Sequence, residues 1–179
     1  MDKNKLQKSY FPALQDRATK NITIGEALKD TASKYGDIEA LVEVKQDGNI
    51  GRRWNYKNLY KESLKLAFAL STRFKKGEHV VIWSPNNPEW ILIEYAAALS
   101  GIVLVTANPA LQEKELRYII ENSHAVALFL VPEFRGNPMI DIGKKSVLNN
   151  TAIREIINIL DYDALFYNSK KNVTLPHVQ

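Results

Sequence analysis

The segment 79–105 decides the fold class, and it reads HVVIWSPNNPEWILIEYAAALSGIVLV. Its first five residues, His79–Trp83, are a β-branched apolar run, which is typical of a strand buried on both faces. Pro88 then opens a helical stretch, because proline suits the first turn of a helix, and Gly101 closes it. Residues 102–105 form a second apolar run. The segment therefore predicts a strand, a crossover helix and another strand.

The same alternation continues toward the carboxyl end. A helix is predicted over residues 111–122 and a third strand over residues 125–131. Strands joined by helical crossovers make a parallel sheet with right-handed connections. We therefore expect an α/β fold with a largely parallel sheet flanked by helices. Beyond Pro132 the pattern weakens, since residues 152–159 fit a strand or a helix and residues 162–167 fit a short helix.

A hairpin and two helices are predicted before the sheet. The elements are a helix over residues 23–35, strands over 40–44 and 52–54, and a helix over 55–73. Thr23 and Asn55 are the expected N-caps, and Gly36 is expected to end the first helix. The Gln46-Asp47-Gly48-Asn49 segment suits the hairpin turn, because glycine and asparagine tolerate positive φ.

Composition excludes several classes of protein. With 179 residues, 45% of them hydrophobic and 25% charged, the chain can bury a core without covalent staples. The sequence has no cysteine, which excludes disulfides, thiolate zinc sites and a cysteine nucleophile. The net charge of +4 is spread over separated lysines, such as Lys75-Lys76 and Lys144-Lys145. Nucleic acid is therefore not predicted as a partner, because such a surface needs a denser basic stripe.

Neither a signal peptide nor a membrane span is predicted. Residues 1–9 are polar and rich in lysine, with no apolar stretch behind them. The best membrane candidate, residues 90–105, carries Glu94 and is shorter than the ~20 apolar residues that a span needs. We therefore expect a cytoplasmic protein, with residues 1–22 as a polar leader and residues 23–179 as one subdomain.

Polar residues follow each predicted sheet strand. In an open parallel sheet, ligands bind at the carboxyl ends of the strands. One interpretation is that Asn86, Asn108 or Glu133 points at a ligand. The other is that asparagine and proline only build the turns there, because asparagine bonds nearby backbone and proline fixes φ. We favour the second.

No catalytic or metal-binding constellation is visible. The histidines His79, His124 and His177 are far apart and lack metal-ligand spacing. Glu113 and Glu115 cannot share a helix face, so they do not predict a pair of acid and base carboxylates. The eight glycines form neither a dinucleotide-binding nor a P-loop pattern. The sequence therefore predicts no catalytic, cofactor-binding or metal-binding residue in this chain.

Several segments, taken in order, resemble one enzyme superfamily. They are Trp54-Asn55-Tyr56 with Leu59, the run from Lys76 to Asn86, Pro88-Glu89-Trp90, the run from Ser100 to Val105, and Asn108-Pro109 with Glu115-Leu116. Their order and spacing are similar to the amino-terminal subdomain of the acyl-CoA synthetase, luciferase and peptide-synthetase adenylation superfamily. Residues 132–138 and 153–157 resemble its fatty-acyl and aryl-acyl CoA ligase branch.

The resemblance implies a two-step reaction for a complete enzyme. ATP and a carboxylic acid give an acyl-adenylate and pyrophosphate, and CoA then displaces AMP. Such enzymes need ATP, Mg and CoA, and their phosphate-binding loop normally follows a Leu-Pro segment like Leu175-Pro176. Because this sequence ends at Gln179, we expect no cofactor and no activity for the chain alone. The expected partner is the remainder of the ligase, or a second copy bound through an exposed apolar face.

Two positions depart from the family pattern. In members of that superfamily a glycine commonly ends the helix before the first sheet strand. This chain has Arg73-Phe74-Lys75-Lys76 there instead, and the segment is one residue shorter. That helix end should therefore differ. Some CoA ligases carry a basic residue after the Asn-Pro turn that meets a CoA phosphate. Here that residue is Ala110, which puts the contact in question.

Two other functions remain open at this point. The chain could be a binding or scaffold protein that retained the subdomain, or an unrelated flavodoxin-like nucleotide binder. The acid substrate is not predicted, because the acyl pocket of the family is built largely from residues after this stretch.

Overall fold

The computed structural model describes residues 19–45, 47–167 and 174–175. In chain order the elements are α1 (Ile24–Tyr35), β1 (Glu39–Val44), β2 (Ile50–Asn55), α2 (Tyr56–Arg73), β3 (His79–Trp83), α3 (Pro88–Ser100), β4 (Val103–Ala107), α4 (Glu113–Asn122), β5 (Ala127–Leu130), α5 (Met139–Ser146), β6 (Glu155–Asn158) and α6 (Tyr162–Leu165). Within these residues no helix is long and apolar enough to cross a membrane.

The main sheet has four parallel strands in the order β4-β3-β5-β6. The predicted α/β class and parallel sheet are therefore confirmed. The ambiguous stretch 152–159 contains strand β6, because Ile156 and Ile157 pair with Leu128 and Phe129 of β5. The sheet thus has four strands. The sequence predicted three of them as strands and left the fourth open between strand and helix.

Helices cover both faces of this sheet. Helices α2 and α3 pack against each other, and α4 packs against α5. The first crossover leads from β3 to β4, and the second leads from β4 back past β3 to β5. Because such crossovers are right-handed as a rule, α3 and α4 are expected on opposite faces. All residues of β5, and Val80 to Trp83 of β3, are consequently buried.

Local side-chain bonds set the helix starts as predicted. The Thr23 hydroxyl oxygen accepts a bond from the Glu26 N–H at 3.1 Å, and the Glu26 carboxylate accepts one from the Thr23 N–H at 2.8 Å. Asn55 accepts a bond from the Asn58 N–H at 2.8 Å. These contacts span three residues, so they depend on sequence alone.

Gly36 ends α1, as predicted. Its φ is −52°, which is right-handed, so the glycine is not there for a left-handed cap. A Cβ at this position would lie 2.7 Å from the Ala32 carbonyl oxygen, and the Gly36 carbonyl accepts the Lys57 N–H at 3.0 Å. Close approach of backbone, and not positive φ, requires the glycine. Gly101, at φ 71°, does form the left-handed cap of α3.

The antiparallel hairpin of β1 and β2 is also confirmed. Its turn includes Gln46, which lies outside the described residues. Gly48 has φ 80°, and the Asp47 carboxylate accepts bonds from the Asn49 N–H and Nδ2, both at 2.9 Å. These short-range bonds explain why the sequence already indicated a hairpin here.

Helix α2 ends without a glycine. Phe74 is extended at φ −127°, its side chain is buried, and its N–H bonds the Leu70 carbonyl. The guanidinium carbons of Arg73 and Arg154 lie 5.7 and 5.6 Å from the centre of the Phe74 ring. The helix therefore ends at Arg73, as predicted, at a buried ring with two guanidinium groups near it instead of at a glycine.

Candidate functional site

The order in which the chain adds strands to the sheet reverses between β3 and β5. The crossover after β3 leads outward to β4, whereas the one after β4 returns past β3 to β5. The loops that leave the carboxyl ends of β3 and β5 therefore diverge toward opposite faces. Such a switch point opens a crevice, which is where open α/β sheets bind ligands.

A cleft of about 770 Å³ lies at this switch point. Its lining residues come from the ends of β3, β5 and β6, and they are Pro85, Asn86, Asn87, Val131, Glu133, Phe134, Arg135 and Leu160. The lining combines an apolar part with two amides, one carboxylate and one guanidinium. We treat this cleft as the candidate site and call it the switch-point cleft.

The turn from β3 into α3 is built by Ser84 and Asn87. The Asn87 side-chain oxygen accepts the Trp90 N–H at 2.8 Å, and its Nδ2 donates to the Ser84 hydroxyl at 2.8 Å and the Pro85 carbonyl at 3.1 Å. Asn87 is thus occupied by the turn. Its neighbour Asn86 is exposed in the cleft.

The three polar candidates from the sequence divide between the two interpretations. Asn108 builds a turn, since its side-chain oxygen accepts the Ala110 N–H at 2.9 Å and its carbonyl accepts Trp83 Nε1 at 2.9 Å. It is not among the residues that line the cleft. Asn86 and Glu133 are brought together there, so the structure places these two, and not Asn108, at the candidate site.

Sequence reasoning missed Arg135, which supplies the positive charge of the cleft. Phe134 and Asn137 exchange backbone bonds of 3.1 and 2.9 Å around a tight turn. Arg135 and Gly136 occupy its centre with φ of 50° and 80°, which is a type I′ turn. The Arg135 guanidinium lies 5.1 Å from the Phe134 ring centre. The Arg135-Gly136 pair, a few residues after strand β5, is the sequence feature that could have indicated this turn.

The cleft is suited to binding more than to chemistry. Arg135 can bond an anionic group, and the Asn86 amide can both donate and accept. Apart from the Glu133 carboxylate, the described lining contains no histidine, serine or lysine that could act as a base or nucleophile. Its geometry therefore supports recognition of a polar, charged molecule.

The histidines do not meet at any site. His79 Nδ1 lies 2.6 Å from the Ser123 carbonyl, and His124 sits at φ 53° between α4 and β5. His177 lies outside the described residues. Among the described side chains no three His, Asp or Glu are placed to hold a metal ion.

The two glutamates in the first turn of α4, Glu113 and Glu115, accept hydrogen bonds from different residues. Glu113 accepts a bond from Arg117 at 2.7 Å, and Glu115 accepts the Gln112 N–H at 2.9 Å. The prediction that they do not form a carboxylate pair is consistent with these partners. Glu115 contributes to the start of the helix, and Glu113 forms an ion pair one turn along it.

A half-exposed arginine pairs with a buried glutamate close in sequence to the turn that carries Asn86. Glu89 follows the turn that carries Asn86, and its side chain is 6% exposed. Arg52 Nη1 donates to Glu89 Oε1 at 2.6 Å, while Arg52 Nε and Nη2 each donate to the Glu43 carboxylate at 2.9 Å. Glu89 Oε2 is buried with no hydrogen-bond partner among the described residues. One guanidinium thus serves two carboxylates.

These contacts shift the pKa values of the groups involved. Hydrogen bonds from the Arg52 side chain and N–H lower the pKa of Glu43 from 4.5 to about 2. The bond to Glu43 raises the pKa of Arg52. Glu43 and Arg52 therefore keep their charges throughout the neutral and mildly acidic range.

The comparisons with known proteins agree with this architecture. A profile of the family described as "AMP-binding enzyme" matches residues 28–174. The "Medium-chain acyl-CoA ligase ACSF2, mitochondrial" of Mus musculus is 36% identical over 138 residues, which cover 76% of this chain and 22% of the relative. Its counterpart in Danio rerio is 31% identical over 141 residues, covering 78% of this chain and 23% of that protein. The chain thus spans less than a quarter of their length.

Solved structures show the same fold. The N-terminal domain of FACL13 from Mycobacterium tuberculosis superposes with a TM-score of 0.70 at 21% identity, covering 88% of this chain and 38% of that chain. A long-chain-fatty-acid-CoA ligase (FadD1) from Archaeoglobus fulgidus gives a TM-score of 0.71 at 23% identity, covering 88% and 31%. At this identity the likeness concerns the fold alone.

Proposed function

The chain belongs to the AMP-binding enzyme family, and we propose that it serves as the amino-terminal subdomain of a ligase that activates a carboxylic acid with ATP and transfers it to CoA. The observation that carries this proposal is the family match, which extends over residues 28–174. Support comes also from the relatives, which are acyl-CoA ligases by name. A role in fatty acid metabolism is part of the same proposal.

The proposed reaction has two steps. A carboxylate oxygen attacks the α-phosphorus of ATP, and the bond to pyrophosphate breaks, which leaves an acyl-adenylate. The sulfur of CoA then attacks the acyl carbon, and AMP leaves. The described residues contain neither a glycine-rich phosphate cradle nor a cluster for Mg. We therefore assign ATP, Mg and CoA to the complete enzyme and no step to this chain.

Within that enzyme the switch-point cleft would contact substrate. ATP, CoA and the carboxylic acid are all anionic, and Arg135 is the guanidinium in the cleft lining. We assign Arg135 to such an anionic group and Asn86 to a neighbouring polar group. In an active full-length protein, Arg135→Ala should raise the KM for one of these substrates at unchanged fold. An unchanged KM for all three would remove this role.

Carboxylate-dependent exchange between ATP and pyrophosphate tests the main proposal. The purified 179-residue chain should show no exchange above a blank, because its sequence contains no glycine-rich phosphate loop to hold the charge that develops on the α-phosphate. A protein translated through the coding sequence beyond Gln179 should show exchange if that sequence contains a Ser/Thr/Gly phosphate loop. Turnover by the short chain, or none by the extended protein with such a loop, would contradict the proposal.

A second candidate is a binding or scaffold protein that uses this subdomain without catalysis. The described cleft lining favours it in one respect, since that lining has polar recognition groups and no histidine, serine or lysine. A stop codon directly after Gln179, together with a soluble and ordered product, would support this candidate. The flavodoxin-like alternative supposed an unrelated protein, and family membership rules that out.

The cellular compartment stays a proposal as well. The absence of cysteine suits a reducing cytoplasm, whereas the mouse and Danio rerio relatives are called mitochondrial. Fluorescent tagging at the carboxyl end, with the natural amino terminus intact, would separate these compartments. Mitochondrial import would overturn the cytoplasmic assignment.

A further inference from the structure

Helix α6 cannot be stable through its own backbone bonds. It has four residues, Tyr162–Leu165, whereas isolated helices shorter than about 12 residues are marginal in water. It lies within residues 160–167, which we call the strap. The strap begins after the bond from the Ile159 N–H to the Leu130 carbonyl at 2.9 Å. Its first residue, Leu160, lines the switch-point cleft.

One buried arginine of α2 bonds both strand β6 and the carboxyl end of α6. Arg73 Nη1 donates to the carbonyls of Ala164 and Leu165 at 3.1 and 3.3 Å, at the carboxyl end of α6. Arg73 Nε donates to Glu155 Oε2 at 3.0 Å, and Nη2 bonds the same oxygen. The Arg73 side chain is 6% exposed. The guanidinium therefore meets carbonyls that α6 leaves unpaired, and it pairs with a carboxylate of β6.

The other contacts of the strap are weaker or partly exposed. The Tyr162 and Phe166 rings stack at 4.2 Å, with the Lys65 ammonium 5.6 and 5.0 Å from their centres. Tyr162 is 42% exposed and Leu160 is 52% exposed, while Leu165 is fully buried. By contrast the strands β3 and β5 lie inside the sheet. The strap is thus the less buried unit, joined to the core by Leu165 and Arg73.

We propose that Arg73 is a clasp that holds the strap closed, and that the strap opens as a local unit before the sheet does. Opening moves Leu160 away from the switch-point cleft and widens that cleft on the β6 side. The device is conformational, and it stands whether or not the ligase assignment holds. Local opening of this kind is expected where few buried contacts hold a segment.

Amide hydrogen exchange on the whole chain tests the clasp. The reporting amides are Ala164, Leu165 and Phe166, whose N–H groups bond within the strap at 2.9 to 3.0 Å. In Arg73→Met these amides should exchange at least about tenfold faster, because charged hydrogen bonds are lost. Amides of β3 and β5 should exchange at rates close to those of the unsubstituted protein. Arg73→Lys keeps the positive charge but lacks the planar set of guanidinium donors. Its strap amides should therefore be better protected than those of Arg73→Met.

Arg117→Met is the matched control. Arg117 also bonds a carboxylate, Glu113, and a carbonyl, that of Lys145, but it touches neither the strap nor α2. It should leave the strap amides unchanged. If Arg73→Met does not fold, Glu155→Gln removes one partner of the clasp and should accelerate the strap amides to a smaller degree.

Three results would overturn the clasp. The first is equal strap exchange with and without Arg73, or with and without the Glu155 carboxylate if only that variant folds. The second is acceleration of the strap by Arg117→Met as large as that by Arg73→Met. The third is strap amides as slow as those of β5 in the unsubstituted protein.

Discussion

Replacing Arg52 with methionine should destabilise the protein by about 2–3 kcal/mol. Arg52 is the donor for Glu89 Oε1 and for both Glu43 oxygens, and Glu89 Oε2 has no described partner. Without the guanidinium, the Glu89 carboxylate stays buried at 6% exposure with no cation beside it. Methionine keeps much of the apolar stem, so the change reports mainly on charge and hydrogen bonds.

The size of this destabilisation follows from how deeply the arginine and its carboxylate partners are buried. Breaking a buried ion pair costs about 3–5 kcal/mol, because one uncompensated charge remains. Arg52 is 47% exposed and Glu43 is 22% exposed, so water screens part of the interaction and lowers the figure. For a urea dependence of about 1–3 kcal/mol per molar, the unfolding midpoint should fall by about 0.7–3 M.

Urea unfolding followed by far-ultraviolet circular dichroism measures this change. Tryptophan fluorescence is a second probe, with the caution that Arg52 lies 5.2 Å from the Trp54 ring and its removal alters that signal directly. The matched control is Arg53→Met, at the next residue of β2. Arg53 pairs with Glu39, and both side chains are about half exposed, so its loss should cost at most about 1 kcal/mol.

Equal losses for the two arginines would refute the reasoning. So would a loss below about 0.5 kcal/mol for Arg52→Met, because the buried Glu89 carboxylate would then not depend on its cation. A double variant that combines Arg52→Met with Glu89→Leu should recover part of the stability, since the unpaired charge is gone.

Three further outcomes are expected. The pKa of Glu43 is about 2 in the folded chain, below its usual 4.5, so its stabilisation is complete above pH 4.5 and is lost as the pH falls through about 2. Acid unfolding curves should show this loss in the unsubstituted protein and a smaller one in Arg52→Met. Gly143→Ala should lower the free energy of unfolding by about 1 kcal/mol, because the new Cβ would lie 2.6 Å from Leu130 Cδ2 and overpacking costs about 1–3 kcal/mol against the ~1 kcal/mol that helix propensity returns. A more stable variant in urea titration would contradict this. Sedimentation should show self-association at high concentration through exposed apolar side chains such as Val44 and Ile50 of the hairpin, which are 65% and 50% exposed. Strictly monomeric behaviour would count against it.

Local features of the sequence account for most of the helices and strands. The start of α2 at Tyr56 and its end at Arg73 match the prediction, because Asn55 caps the helix through a residue three positions away. Strand β3 is a β-branched run that is buried from either side. Such elements depend on interactions within a few residues, so their pattern is readable without the fold.

Residues 152–159 show where local pattern stops being sufficient. An apolar run of this length fits a strand as well as a helix. Pairing with β5, about 28 residues earlier in the chain, makes Glu155–Asn158 a strand. Gly36 shows the same limit, because its small size matters for a close backbone contact and not for φ.

The sequence by itself determined the alternation of strands and helices, the caps, the family resemblance and the absence of a phosphate-binding glycine pattern. Tertiary structure alone decided the strand order, and with it the cleft where Asn86, Glu133 and Arg135 meet. It also decided that Arg73 bonds residues more than 80 positions later. The physical reason is that side chains distant in the chain become neighbours only when the sheet is assembled, and no short-range pattern records which strands will lie side by side.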